Sequence, residues 1–180
     1  MQNNKNFHYK VLMLIFSMFF YAIVPGMVSV LFPILFKNAG ATDSIVGYLD
    51  NAKIITGTIC LILLPKITNK IGIVYTAILS LISFMVPLAI FNFVDNHIVW
   101  IILMAFYGVG LIVFRTAVES TINFLVSDTN RGKAMSFVTL SMFLGIGSGP
   151  IIVKFIGSEN YISYLIAIVA SIISAFLFYS

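Results

Sequence analysis

The sequence predicts an all-α polytopic membrane bundle of six transmembrane helices, and three observations carry that expectation. Its 180 residues are 61% hydrophobic and 9% charged, far from the roughly 45–50% apolar and 25% charged content of soluble domains. Six stretches are long enough to cross the roughly 30 Å hydrocarbon layer, which takes about 20 helical residues at about 1.5 Å each. These runs are continuous instead of alternating, so the two-residue period of a barrel strand is missing.

The first span is Val11 to Phe36, uncharged throughout, with Pro25 and Pro33 as places to kink. Basic residues precede it as in a secretory signal, but the run is about twice the usual apolar length and lacks an A-x-A cleavage site, so it is expected to stay as a helix. The second span, Ile45 to Leu64, carries Asp50 and Lys53. The third, Ile71 to Val94, is uncharged and contains Pro87. The fourth, Ile98 to Val126, carries Arg115 and Glu119. The fifth, Ala134 to Val153, and the sixth, Tyr161 to Tyr179, are again uncharged. Connections of roughly five to nine residues leave no room for a domain outside the membrane.

The net charge is +4, yet no run of five like charges exists, which argues against a nucleic-acid partner. The excess sets orientation instead. Assigning loops alternately, one side receives Lys5, Lys10, Lys66, Lys70, Arg131 and Lys133, and the other Lys37 and Lys154 with Asp43, Asp95 and Glu159. This bias puts both termini in the cytoplasm of a multi-pass inner-membrane protein. Cys60 is the single cysteine, which excludes an intrachain disulfide, and no Cys/His cluster offers a metal site. No cofactor is expected. His8 precedes the first span and His97 sits in a short loop, so no nucleophile–base constellation is readable and an enzyme is not expected.

Shifting the sequence by 85 residues superposes Asp43 on Asp128, Gly47 on Gly132, Pro65 on Pro150 and Gly72 on Gly157. The strings PKITNKIG and PIIVKFIG share four positions. The shift maps spans one to three, about residues 9–94, onto spans four to six, about residues 98–179. With an odd number of spans per unit, the second copy lies inverted in a single transmembrane domain covering residues 1–180, an arrangement found in transporters.

Three stretches resemble one family. Between the second and third spans, Lys70 and Gly72 fit a G-x-L-a-D-R-x-G-R-R pattern, with Asn69 where the pattern has its acid. Between the fourth and fifth, Asn130, Arg131, Gly132, Lys133 and Ala134 resemble an E-R-G-R-A turn. In the fifth span, Gly145, Gly149 and Pro150 fit a G-x-x-x-G-P core, although Val153 and Lys154 replace its closing glycines. Together they resemble the N-terminal six-helix half of a major facilitator superfamily transporter. Met104 stands about where many members carry an arginine. The resemblance implies a fold whose C-terminal six-helix half is absent from these 180 residues, to be rebuilt by a homodimer or a separately encoded half. It also implies gating and packing roles for the motif residues.

The charges inside the spans are the candidates for chemistry. An arginine at the centre of a membrane helix is unfavourable by roughly 2.5–3.5 kcal/mol on insertion scales, so Arg115 must be compensated. Glu119 is one turn on and shares its face. The two read either as a structural ion pair or as a substrate or proton site. Asp50 and Lys53, three residues apart, share a face with Gly57 in the outer third of the membrane, where Lys53 can snorkel. Ser17, Tyr21, Pro25 and Ser29 form a polar stripe that lines a pore or bonds its own backbone. Ser141, Gly145, Ser148 and Gly149 form a small-residue stripe suited to close helix packing.

The function expected is secondary transport of a small solute, coupled to protons, in the lipid bilayer. Lys53 and Arg115 would favour an anionic or zwitterionic cargo. The alternative is a truncated or non-transporting membrane assembly protein in which Arg115 and Glu119 merely hold the bundle together.

Overall fold

The computed structural model describes residues 2–157 and 161–180, with side chains from His8 onward. Glu159 and the Lys5 side chain, both counted in the charge bias, lie outside the described residues. Six helices long and apolar enough to span a membrane occur among the described residues. They are α1 (Gln2–Asn38), α2 (Asp43–Ile71), α3 (Ile73–Ile90), α4 (His97–Leu125), α5 (Asp128–Ile156) and α6 (Tyr161–Tyr179), with a 3₁₀ turn at Phe91–Phe93 after α3.

Helices α1, α2 and α5 outrun their apolar windows, while α4 and α6 keep to theirs within a residue. Hydropathy marks the hydrocarbon layer, whereas backbone pairing continues into the interface, so α2 and α5 extend beyond Ile45–Leu64 and Ala134–Val153. The expected loops shrink accordingly, and Gly72 alone separates α2 from α3. The third span is the exception, stopping at Ile90 short of Val94 and passing into the 3₁₀ turn. Caps fix the ends. The Thr42 hydroxyl accepts from the Ile45 N–H at 3.4 Å, and the Asn96 side chain accepts from the N–H groups of Ile98 at 2.9 Å and Val99 at 3.3 Å.

The 85-residue register reappears in these bounds. The first and last residues of α2 and α5 correspond under the shift, as do Thr42 and Ser127 before them. Gly72 and Gly157, also equivalent, turn the chain at φ of 85° and 99°, a region open to glycine at little cost. Each donates its N–H to the carbonyl four residues back, at 2.8 Å. Packing is reciprocal: α1 lies against α5 and α6, α4 lies against α2 and α3, and α3 meets α6. Each unit thus leans its first helix on the other unit's second and third.

Lipid tails are as apolar as leucine, so the bundle is held by close packing and hydrogen bonds between helices. Glycines admit the approach. A Cβ on Gly149 would strike the backbone of Gly26 and Met27, and one on Gly108 the backbone of Lys53. The stripe Gly145 and Gly149 therefore packs α5 on α1, while Gly57 and Gly108 do the same for α2 on α4. Hydroxyls add bonds across the seams: Ser17 to the Ser174 carbonyl at 2.8 Å and Ser174 back to the Ser17 carbonyl at 2.9 Å, Thr56 to Ala105 at 3.0 Å, and Ser83 to Phe106 at 2.7 Å. At one end, rings of Phe32, Phe36, Phe91 and Trp100 pack together, the Trp100 indole donating to the Val94 carbonyl at 2.6 Å.

Gly149→Leu and Gly108→Leu are expected to destabilise the protein by roughly 1–3 kcal/mol, the cost of overpacking. Gly147→Ala, at a position open to space, is expected to be neutral or mildly stabilising. Thermal unfolding in detergent checks this, and equal melting of all three variants would contradict the seams.

Candidate functional site

The α2–α4 crossing organises the charged residues. Gly108 meets the Lys53 backbone, Gly57 receives the Ile112 side chain, and the Thr56 hydroxyl ties the helices through the Ala105 carbonyl. Lys53 stands at the crossing, and Arg115 lies two turns along α4 from Gly108. Each belongs to an ion pair on its own helix.

Arg115 Nε and Glu119 Oε1 are 2.8 Å apart, with 49% and 27% of their side chains exposed. At about 1.5 Å per residue, Arg115 lies about 27 Å from the start of α4 and about 15 Å from its end, well inside the span. The pair is therefore a charged patch at the bundle surface, at a depth where bare hydrocarbon is an unfavourable neighbour. Pairing i to i+4 reduces that cost without abolishing it, because half of the guanidinium side chain still needs water or protein around it.

Lys53 Nζ and Asp50 Oδ1 are 2.6 Å apart, with side-chain exposures of 24% and 54%. They line a cavity of about 140 Å³ between α1, α2 and α4, together with Ser29, Met104 and Tyr107. Met104, where the resemblance would place an arginine, gives that wall a thioether. The sequence reading passed over Tyr107. It is 1% exposed, its ring stacks on Phe84 with centroids 4.8 Å apart, and its hydroxyl has no hydrogen-bond partner. An unmet buried hydroxyl costs about 1–3 kcal/mol. The available signal was its place beside Gly108, which puts it next to Lys53 once α2 crosses there.

Of the polar stripe of α1, Pro25 and Ser29 fit the expected readings, whereas Ser17 and Tyr21 are buried and bond neighbouring helices instead. Ser17 bonds α6. Tyr21 is buried between Phe84 and Phe114 and donates to the Leu111 carbonyl of α4. Ser29 bonds the carbonyl of Gly26 in its own helix at 2.7 Å and, with Pro25, lines the cavity. The motif residues take no part in the Arg115–Glu119 and Asp50–Lys53 pairs. Lys70 is in the last turn of α2, Gly72 makes the reversal after it, and Arg131 pairs with Asp128 at 2.7 Å in the first turn of α5, beside Gly132. Pro150, partly buried, sits inside α5 next to Gly149 at the α1 seam. Among the described residues, no three His, Cys, Asp or Glu side chains gather as a metal site would require.

Compared with known proteins, the chain matches the family model described as Major Facilitator Superfamily over residues 14–180. No curated protein matches it.

Tyr21→Phe is expected to lower stability by about 1 kcal/mol through loss of its bond to the Leu111 carbonyl. Tyr107→Phe, which deletes an unpartnered hydroxyl, is expected to leave stability unchanged or raised. Chemical denaturation in micelles checks the order, and a larger loss for Tyr107→Phe would contradict the assignment.

Proposed function

The chain belongs to the Major Facilitator Superfamily, and on that premise we propose that it is a secondary transporter moving a small anionic or zwitterionic solute, with transport coupled to protons. The observation that carries this reading is the Arg115–Glu119 pair, partly open on the bundle surface well inside α4. A structural pair with no further task would be sheltered inside the bundle, where neighbouring helices cover it. A pair left open at this depth suits a watery passage walled by α1, α2 and α4 and closed by a second six-helix unit. A second copy of the chain or a C-terminal half would supply that unit.

The proposed cycle follows from symmetry and charge. The matched bounds of α2 and α5 and the reciprocal packing of α1 and α4 support two inverted units with near-equivalent shapes, so rocking exchanges an inward for an outward opening. Glu119 is the proposed proton carrier. A carboxylate that exchanges its cation for a proton stays neutralised throughout, and Arg115 is then free to meet a solute carboxylate in transit along this face. Gly72, Lys70 and Arg131 would act at the cytoplasmic helix ends, where the moving units part. The cationic ends at Lys10, Lys66, Lys70 and Lys133 support an orientation with both termini in the cytoplasm of the inner membrane. At the opposite end Lys37 is offset by Asp43 at 3.0 Å.

In proteoliposomes carrying a pH-sensitive dye, a panel of small organic anions and zwitterions is expected to drive proton movement through the wild-type protein. Glu119→Gln is expected to keep solute binding and lose the dependence of transport on the pH gradient. An unchanged pH dependence in that variant would remove Glu119 from the coupling.

A further inference from the structure

The cavity between α1, α2 and α4 holds three polar groups of complementary kinds. Lys53 brings an ammonium with three donors, Asp50 a carboxylate with two acceptor oxygens, and Tyr107 a hydroxyl that the protein leaves unpartnered. Asp50 and Lys53 are the charged residues on its walls, so the site is neutral overall yet strongly dipolar. Remaining walls are apolar, including Phe32 and Leu111.

Charge balance selects the ligand. A lone anion would leave this partly open site net negative and a lone cation net positive, each meeting one repelling wall charge beside the attracting one. A solute with both charges adds none. Its size is set by the volume of about 140 Å³; an apolar cavity of roughly 150 Å³ accepts benzene, so about six heavy atoms fit.

We infer that this cavity binds a small zwitterion the size of alanine, its carboxylate held by Lys53 and Tyr107 and its ammonium by Asp50. The inference rests on the transport reading and names its cargo class. Tyr107 is here a binding residue, whose buried and unpartnered hydroxyl meets the ligand carboxylate once the side chains over it shift. Ser29, on the facing helix, offers its hydroxyl oxygen to the same ammonium.

The test titrates L-alanine, propionate and ethylammonium against the full chain in nanodiscs, with binding followed by ligand-observed NMR. Propionate and ethylammonium each lack one of alanine's charges. Alanine is expected to bind at least about tenfold more tightly than either, a difference of about 1.4 kcal/mol. Tyr107→Phe is expected to weaken alanine about tenfold with melting unchanged. Asp50→Asn should shift preference toward propionate, and Lys53→Met toward ethylammonium. Alanine binding no tighter than its two analogues in the wild-type protein would overturn the inference, a result that does not depend on any variant folding. So would full alanine affinity in a folded Tyr107→Phe protein. Proteoliposomes separate this from the wider reading: proton movement driven by propionate alone keeps the transporter and rejects the zwitterion site, whereas tight alanine binding with no solute-driven flux does the reverse.

Discussion

A guanidinium half exposed well inside an apolar helix is the constraint on which this molecule turns. Arg115 lies on α4 with Glu119 one turn away at 2.8 Å. Neither residue is deeply buried, and neither lies near enough to a helix end to belong wholly to the interface. Because bare hydrocarbon beside this pair is unfavourable, the face that carries it must look onto water or protein. That requirement gives the bundle two kinds of surface. Isoleucines and phenylalanines exposed along the helices suit lipid, whereas the ion pairs ask for water or protein beside them.

The packing serves that division. Glycines on α1, α2, α4 and α5 bring backbones into contact, and serine, threonine and tyrosine hydroxyls reach carbonyls of the next helix. Such bonds average under about 1 kcal/mol each in membrane bundles, so holding the helices together takes several of them plus close contact. The same Gly108 that admits α2 also sets Lys53 beside Tyr107 and leaves Arg115 two turns away, so the structural seam and the charged side chains share one crossing. Overfilling that glycine would disturb both.

Much of this was legible in the chain. Six spans follow from composition and length, and the Arg115–Glu119 and Asp50–Lys53 pairings follow from helical spacing, since residues three and four apart share a face. The bounds of α2 and α5 lie 85 residues apart, the spacing at which Asp43, Pro65 and Gly72 meet their equivalents in the sequence. Other features lay beyond one-dimensional pattern. Ser17, Tyr21 and Ser29 look alike along α1, but their partners are set by the neighbours each meets: α6, α4 and the helix's own backbone. Tyr107 was missed because an unmet hydroxyl is a property of everything around it. The ends of α1, α2 and α5 were misjudged because hydropathy reports the oil and not the backbone pairing that continues beyond it.

Water access at position 115 tests the central claim most directly. In a Cys60→Ser background, Arg115→Cys is treated in sealed vesicles with a membrane-impermeant, positively charged methanethiosulfonate. Asn96→Cys in the loop serves as the wetted reference and Ile102→Cys on the lipid face as the dry one; only a thiol that ionises in water reacts readily. If the Arg115 face lines a passage, the Arg115→Cys variant is modified at a rate of the same order as the Asn96→Cys variant in at least one vesicle orientation. If it is as inert as the Ile102→Cys variant from both sides, the pair is a lipid-buried strut and the transport account fails.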